Sequence, residues 1–180
     1  MALAHAILTT LLDDRLTGYQ LAKRFDASIG FFWRASHQQI YQELYRLARD
    51  GFVKGSVVEQ ADRPNRIPYA ITAKGRRRLL DWAAEPSPPA TVKDDLLVKC
   101  QALALIPPAE LRAQILARRV HHASRLEAYE RIAAKVFPRP AALHGKALGQ
   151  YISLCAGIRY ERAWLDWADD ACRLLRREAG

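Results

Sequence analysis

The stretch "SHQQIYQELYRLARDGFV", residues 36–53, constrains the fold more than any other. Ile40, Leu44, Leu47 and Ala48 recur at steps of three and four, the period of one helix face. Ser36 stands where an N-cap belongs, Gln39 three residues on completes a capping box, and Asp50–Gly51 stops the helix. After Gly51 the period changes. "FVKGSVVEQ" is rich in Val and Phe, and "RIPYAIT" alternates Ile67, Tyr69 and Ile71, so a β-hairpin follows across the turn-forming "ADRPN". Pro68 assigns its strand to a sheet edge. The helix face away from the apolar stripe is unusual. It carries Ser36, His37, Gln38, Gln39, Tyr41 and Gln42, hydrogen-bonding side chains where an ordinary solvated face would carry Lys and Glu.

The flanking elements narrow the architecture. Residues 2–12 read as a short helix with Leu3, Ile7, Leu8, Leu11 and Leu12 apolar. Thr17, with Gln20 three residues on, caps a helix over "GYQLAKRFDASIG" that Gly30 ends. "FFWRA" is an aromatic-rich connection. Thr72 caps "AKGRRRLLDWAAE", which Pro86 ends. Helix, helix, helix, two-stranded wing, helix is the layout of a winged helix-turn-helix. In such modules the third helix lies in the major groove and the second crosses the backbone. The polar face then has a purpose, since Gln, His, Tyr and Ser both donate and accept toward base edges and phosphates.

"PSPPATVKD" is the clearest domain boundary. Beyond it only helices are expected: "DDLLVKCQALALI", stopped by Pro107–Pro108; "AELRAQILARRVHHASRLEAYERIAAKVF", stopped by Pro138 and Pro140; and "GKALGQYISLCAGIRYERAWLDWADDACRLLRR". The expected fold class is mainly α with a small β-hairpin. Residues 1–85 form a winged helix-turn-helix DNA-binding domain, 86–92 a linker, and 93–180 an α-helical dimerisation and effector domain.

The net charge of +9 favours an anionic partner. The charge is spread, with 13 Lys and Arg against 9 Asp and Glu in residues 1–85, and 15 against 10 in residues 86–180. Charge alone is therefore weak support for nucleic-acid binding. "MALAHAILTTLLDD" lacks the basic leader of a signal peptide, and no run reaches the length of a membrane span. Cys100, Cys155 and Cys172 are odd in number and widely spaced, which fits reduced thiols in a cytoplasmic protein rather than a disulfide framework or zinc site. No Gly-rich phosphate loop, HExxH motif or nucleophile elbow is present. His121 and His122 are adjacent and so point to different sides of their helix. No catalytic residues, metal or cofactor are expected.

Three motifs in order, "TGYQLAKRF", "FWRASHQQIYQELYRLARDGFV" and "IPYAITAKGRRRL", resemble the PadR family of bacterial transcriptional regulators. The C-terminal "AGIRYERAWLDWADDACRLL" resembles the last helix of the family's larger subfamily, so the likeness spans almost the whole chain. It implies a homodimer on a palindromic operator, repressing, with a ligand relieving repression in some members. Tyr41 matches the tyrosine of the family's recognition-helix motif, and Gly18 and Tyr19 the start of the second helix, where a helix end suits phosphate. Double-stranded DNA is the expected partner. Gly18, Tyr19, Ser36, His37, Gln38, Gln39, Tyr41, Gln42 and Arg46 are the expected contacts, with Arg63 and Arg66 at the wing. Lys54 and Lys74 are further phosphate candidates. "RRR" at 76–78 reads as a solvated face, and for Tyr41 and Tyr45 alike the alternative to a contact is a ring lying over the domain surface. The competing readings are a winged-helix protein-interaction module without specific DNA binding, and a small enzyme.

The last helix holds two apolar stripes. One is Leu148, Tyr151, Ile152, Cys155, Ile158, Leu165, Cys172 and Leu175; the other is Tyr160, Trp164, Trp167, Ala171 and Leu174. Together they cover most of the circumference, which calls for a partner subunit. Leu3, Ile7, Tyr151, Ile158, Trp164, Leu165, Trp167, Cys172 and Leu175 are the expected dimer interface. An effector pocket for a small aromatic ligand would draw on Trp33, Tyr151 and Trp164, although packing of "FFW" inside the chain is the plainer reading.

Overall fold

The computed structural model describes residues 2–28, 35–59, 65–89 and 91–178. The chain divides into two compact units, Met1–Pro89 and Ala90–Gly180, within the proline-rich stretch expected as a linker.

The first unit runs α1 (Ala2–Thr10), β1 (Leu16–Thr17), α2 (Gly18–Ser28), α3 (His37–Arg49), β2 (Val53–Gly55), β3 (Pro68–Ile71) and α4 (Ala73–Ala83). Its core joins Ile7 and Leu8 of α1, Leu11 just beyond it, Leu21 and Phe25 of α2, Ile40, Leu44 and Leu47 of α3, Val53 of β2 and Leu79 of α4. In the first three helices these are the apolar positions that the three-and-four spacing selects. The sheet has three strands in the order β1-β3-β2. Val53 pairs with Ile71 and Gly55 with Tyr69, and Val58 bridges Arg66 farther along the wing. The strand carrying Pro68 is thus central, not an edge. The sequence reading missed β1, a two-residue strand that pairs Leu16 with Tyr69 and Thr17 with Pro68. Proline is tolerated here because it is the first residue of β3, where its missing N–H removes little of the ladder.

One junction ties the recognition helix, wing and α4 together. Gly51 turns the chain out of α3 at φ 77°. The Thr72 hydroxyl accepts from the Gly75 N–H at 3.1 Å, capping α4, and lies 2.8 Å from the Gly51 carbonyl and 3.0 Å from that of Phe52. A Cβ on residue 75 would overlap the Phe52 carbonyl oxygen and lie 3.1 Å from its carbon. The first turn of α4 therefore rests directly on the backbone leaving α3. Of the arginines at 76–78, Arg78 lies over the Phe52 ring at this joint, Arg76 donates to the Leu12 carbonyl beyond α1, and Arg77 pairs with Asp81 on its own helix. His5 is buried and stacks on Trp82 with ring centroids 4.4 Å apart, fastening α1 to α4.

The second unit holds α5 (Asp95–Gln101), α6 (Pro108–Val136) and α7 (Gly145–Glu178). The expected helix over "DDLLVKCQALALI" is shorter. It ends at Gln101, and Leu103–Leu105 form a 3-10 turn. Ile106 is extended at ψ 128°, as the residue before Pro107 must be. Leu96, Leu111, Ile115, Trp164, Ala168, Cys172 and Leu175 form one core. Within this hairpin lies a charged cluster. Glu161 is fully buried. His122 donates from Nδ1 to its Oε2 at 2.5 Å, and the Arg125 guanidinium faces its Oε1 at 3.1 Å. The His122 ring stacks on Trp164 at 3.8 Å. On either side of this cluster, Arg119 forks onto Asp169, and Arg162 pairs with Glu130.

Two outcomes follow from these joints. Gly75→Ala should lower stability by about 1–3 kcal/mol through overpacking; an unchanged thermal midpoint would contradict the close approach. Burial holds the His122 imidazole below its ordinary pKa of 6.5, with Glu161 opposing and the Arg118 and Arg125 guanidiniums adding to the lowering. The unfolded chain therefore binds the proton more readily. The stability this histidine contributes is present above pH 6.5 and is lost as the pH falls below that value toward the folded one. Thermal melts from pH 7.5 to 5 should show His122→Gln losing less stability than the parent; parallel losses would reject this role.

Candidate nucleic-acid interface

The recognition helix is set by its cap. The Ser36 Oγ accepts from the Gln39 N–H at 3.2 Å, and the Gln39 Oε1 accepts from the Ser36 N–H at 2.9 Å. Ser36 and the Gln39 carbonyl thus hold the helix start, and both side chains remain exposed, so a DNA contact through either would share the atom that caps the helix. A matching box opens α2, where Thr17 N–H donates to Gln20 Oε1 at 3.0 Å and Gln20 N–H to Thr17 Oγ1 at 3.3 Å.

Successive residues of a helix advance by about 100°. With Ile40, Leu44 and Leu47 buried, the side directly opposite is Gln38, Gln42, Tyr45 and Arg49. All four are exposed. His37 is exposed in the first turn. Tyr41 sits on the flank, half-buried against α2: a Cβ on Gly18 would lie 2.9 Å from Tyr41 Cδ1 and closer still to Cε1. The missing side chain at 18 therefore seats the Tyr41 ring. Arg46 turns away from the exposed centre, and its Nε and Nη2 reach the two Glu43 oxygens at 2.9 and 2.5 Å. An Arg46 phosphate contact must share the guanidinium with Glu43. Arg49 pairs with Asp50 at 3.1 Å but keeps 76% of its side chain exposed. Tyr45 and Arg49 are the members of this face absent from the sequence-based contact set. The signal that finds them is helix phase, counted from the buried side rather than from the N-terminal turn.

On the wing, Arg66 is exposed and makes no ion pair among the described residues. Arg63 lies outside the described residues. Lys54 is exposed on β2, whereas Lys74 donates to the Asp50 carbonyl at 2.9 Å and so supports the fold. Between the start of α2, α3 and β3 lies a cleft of about 520 Å³. Tyr19, Tyr41, Tyr45 and Tyr69 line it with Leu44, Ile67, Arg66 and residues 17–20, and among the described residues no carboxylate lines it. Burial, and then the neighbouring Tyr45, push the Tyr69 hydroxyl pKa up, so that ring presents an O–H group at neutral pH.

The residues expected at a dimer interface separate into two sets. Ile7 is fully buried in the first unit's own core, and Leu3 packs against that core. Trp164, Cys172 and Leu175 belong to the core of the second unit, with Trp164 only 9% exposed. These side chains pack inside one chain because α5 and α6 together cover more of α7 than the stripe count allowed. Leu165 and Trp167 border that core half-buried, and Tyr151 and Ile158 are half-buried elsewhere on α7. Leu148, Ile152, Tyr160 and Leu174 are exposed. The effector residues do not converge. Tyr151 and Trp164 lie thirteen residues apart on one continuous helix, about 20 Å at 1.5 Å per residue, so they cannot line one pocket within a chain. Tyr151 packs instead on Phe137. Trp33 lies outside the described residues. No helix among the described residues is long and apolar enough to cross a membrane.

Comparison with known proteins agrees with this geometry. Residues 7–81 match the Transcriptional regulator PadR-like family, and residues 92–176 match Virulence activator alpha C-term. The chain is 39% identical to the probable transcriptional regulator Rv1176c of Mycobacterium tuberculosis, over 99% of this chain and 100% of the relative. The virulence activator AphA of Vibrio cholerae superposes with a TM-score of 0.82 at 33% identity, covering 98% of this chain and 99% of AphA. Bacillus subtilis PadR, solved in complex with operator DNA, superposes with a TM-score of 0.85 at 25% identity, covering 97% and 99% of the two chains. PadR has also been solved with p-coumaric acid. A winged helix whose third helix turns a hydrogen-bonding face outward, joined to a helical C-terminal unit, places this chain in the PadR-like family of transcriptional regulators.

Proposed function

We propose that the protein is a homodimeric cytoplasmic repressor that binds a palindromic operator through α3 and the wing, and that it is not an enzyme. The observation that carries this reading is the exposed face of α3. Gln38 and Gln42 lie opposite its buried stripe, and a glutamine amide offers the paired donor and acceptor that matches an adenine edge in the major groove. A protein-docking face would be more apolar at its centre. PadR, named a negative transcriptional regulator, supports repression. One recognition helix reads only a few base pairs, so a two-fold dimer presenting two helices about 34 Å apart supplies the length of an operator. The exposed and half-buried apolar residues of α7, Tyr151, Ile152 and Ile158 among them, supply surface for that dimer. A small aromatic effector completes the proposal, with p-coumaric acid in PadR as its support.

Fluorescence anisotropy with duplex DNA from upstream of the protein's own gene, against random competitor, tests the central claim. Specific binding at about 10⁻⁸–10⁻¹¹ M that weakens with salt is expected. Gln38→Ala should lower operator affinity by about 1–3 kcal/mol and blur base preference, whereas Arg66→Ala should weaken all sequences alike and flatten the salt slope. Equal behaviour of the two variants would defeat the division of roles. For the effector, titrating p-coumaric acid against intrinsic tryptophan fluorescence should give a saturable change, and a flat response would remove that phenolic acid from the proposal.

A further inference from the structure

We propose that Tyr45 contacts DNA directly and that the tyrosine-lined cleft beside it seats one sugar–phosphate unit of the DNA backbone. The inference rests on the reading of α3 as the helix that enters the major groove. It adds an occupant for a cavity which that reading does not use.

Four tyrosines, of the chain's seven, converge on this one cleft. Tyr69 belongs to the core, whereas two of the four are largely unburied: Tyr19 is 66% exposed and Tyr45 61%. Among the described residues the lining combines ring faces, hydroxyls and one guanidinium without a carboxylate. That combination is complementary to a deoxyribose, whose C–H faces pack on aromatic rings, carrying a phosphate, whose oxygens accept from O–H groups and an arginine. An intact base pair has no exposed face to offer such a cavity, because its faces are stacked in the duplex.

Position gives the same answer. The cleft spans from the exposed side of α3 to the wing residues Arg66 and Ile67. A helix in the major groove and a wing directed at the adjacent minor groove are separated by the backbone strand between those grooves. Tyr45 follows Gln42 by three residues, nearly one helical turn of about 5.4 Å. It therefore faces the rim of the groove rather than its floor. Gly18 completes the geometry by letting the Tyr41 ring lie close against α2, which keeps the cleft open toward Tyr45.

The test uses the full-length protein and two labelled duplexes, its operator and a random sequence. Tyr45→Ala should weaken both by about tenfold, because a backbone contact carries no sequence information. Gln38→Ala should weaken the operator selectively. In a second arm, neutral methylphosphonate linkages replace single phosphates along each half-site. One linkage should weaken binding by the parent and leave binding by Tyr45→Ala and Arg66→Ala little changed further. Tyr45 is exposed, and a circular-dichroism melt confirms that Tyr45→Ala folds. Parent-like affinity of that variant would overturn the proposal while leaving the regulator reading intact. So would a loss confined to the operator, since that marks a base contact. If the parent itself binds neither duplex above background, both readings fall together.

Discussion

The contact of Gly75 with the backbone of Phe52 is the constraint on which the reading head depends. α4 can sit against the end of α3 only where residue 75 has no side chain. The Thr72 hydroxyl, within 3.0 Å of the Phe52 carbonyl, then holds the strand leaving the wing to the turn leaving α3. β3 gains its second neighbour, β1, on the other side through Leu16 and Tyr69. Helix, wing and the start of α2 are thereby fixed relative to one another by short-range joints. None of them relies on a long-range ion pair, which in solvent would contribute little. A DNA-reading surface needs this rigidity, because a contact displaced by an ångström no longer matches a base edge.

Much of this was legible from spacing. The three-and-four pattern of Ile40, Leu44 and Leu47, the capping boxes at Thr17 and Ser36, and the turn at Gly51 each encode a local geometry, and the structure reproduces them. The motif from Tyr69 to Gly75 was recognised by resemblance; its physical reason became visible only with the Thr72 and Gly75 contacts in place. What spacing could not supply was tertiary. β1 is two residues long, too short to carry a period, so Pro68 was read as an edge. Nor does the sequence say that the Arg46 guanidinium forks onto Glu43, with which a phosphate would have to share it. Arg77 alone of the basic run at 76–78 behaves as a plain surface residue, paired on its own helix with Asp81.

The second unit shows the same limit. Apolar spacing on α7 identified the residues that need cover, but not what covers them. Trp164 is enclosed by its own chain, under His122 and beside the Arg118 guanidinium. His122 was read as an ordinary helix residue. Its significance comes from Glu161 across the hairpin, 39 positions away, which no local pattern connects. A buried carboxylate of this kind contributes little net stability, since desolvating the charges offsets their attraction. It does make alternative pairings of the two helices costly, because a slip along the hairpin would leave Glu161 among apolar groups without its partners.

Both arginines of α3 keep acids of their own, Arg46 with Glu43 and Arg49 with Asp50. The helix is thus close to electrically neutral, in a protein whose net charge is +9. With α3 in the groove as proposed, attraction to DNA in general would come from elsewhere on the molecule, and the reading helix would add little pull toward an arbitrary sequence. A regulator built this way would leave wrong sites quickly, its residence on DNA governed by whether hydrogen-bond partners are met.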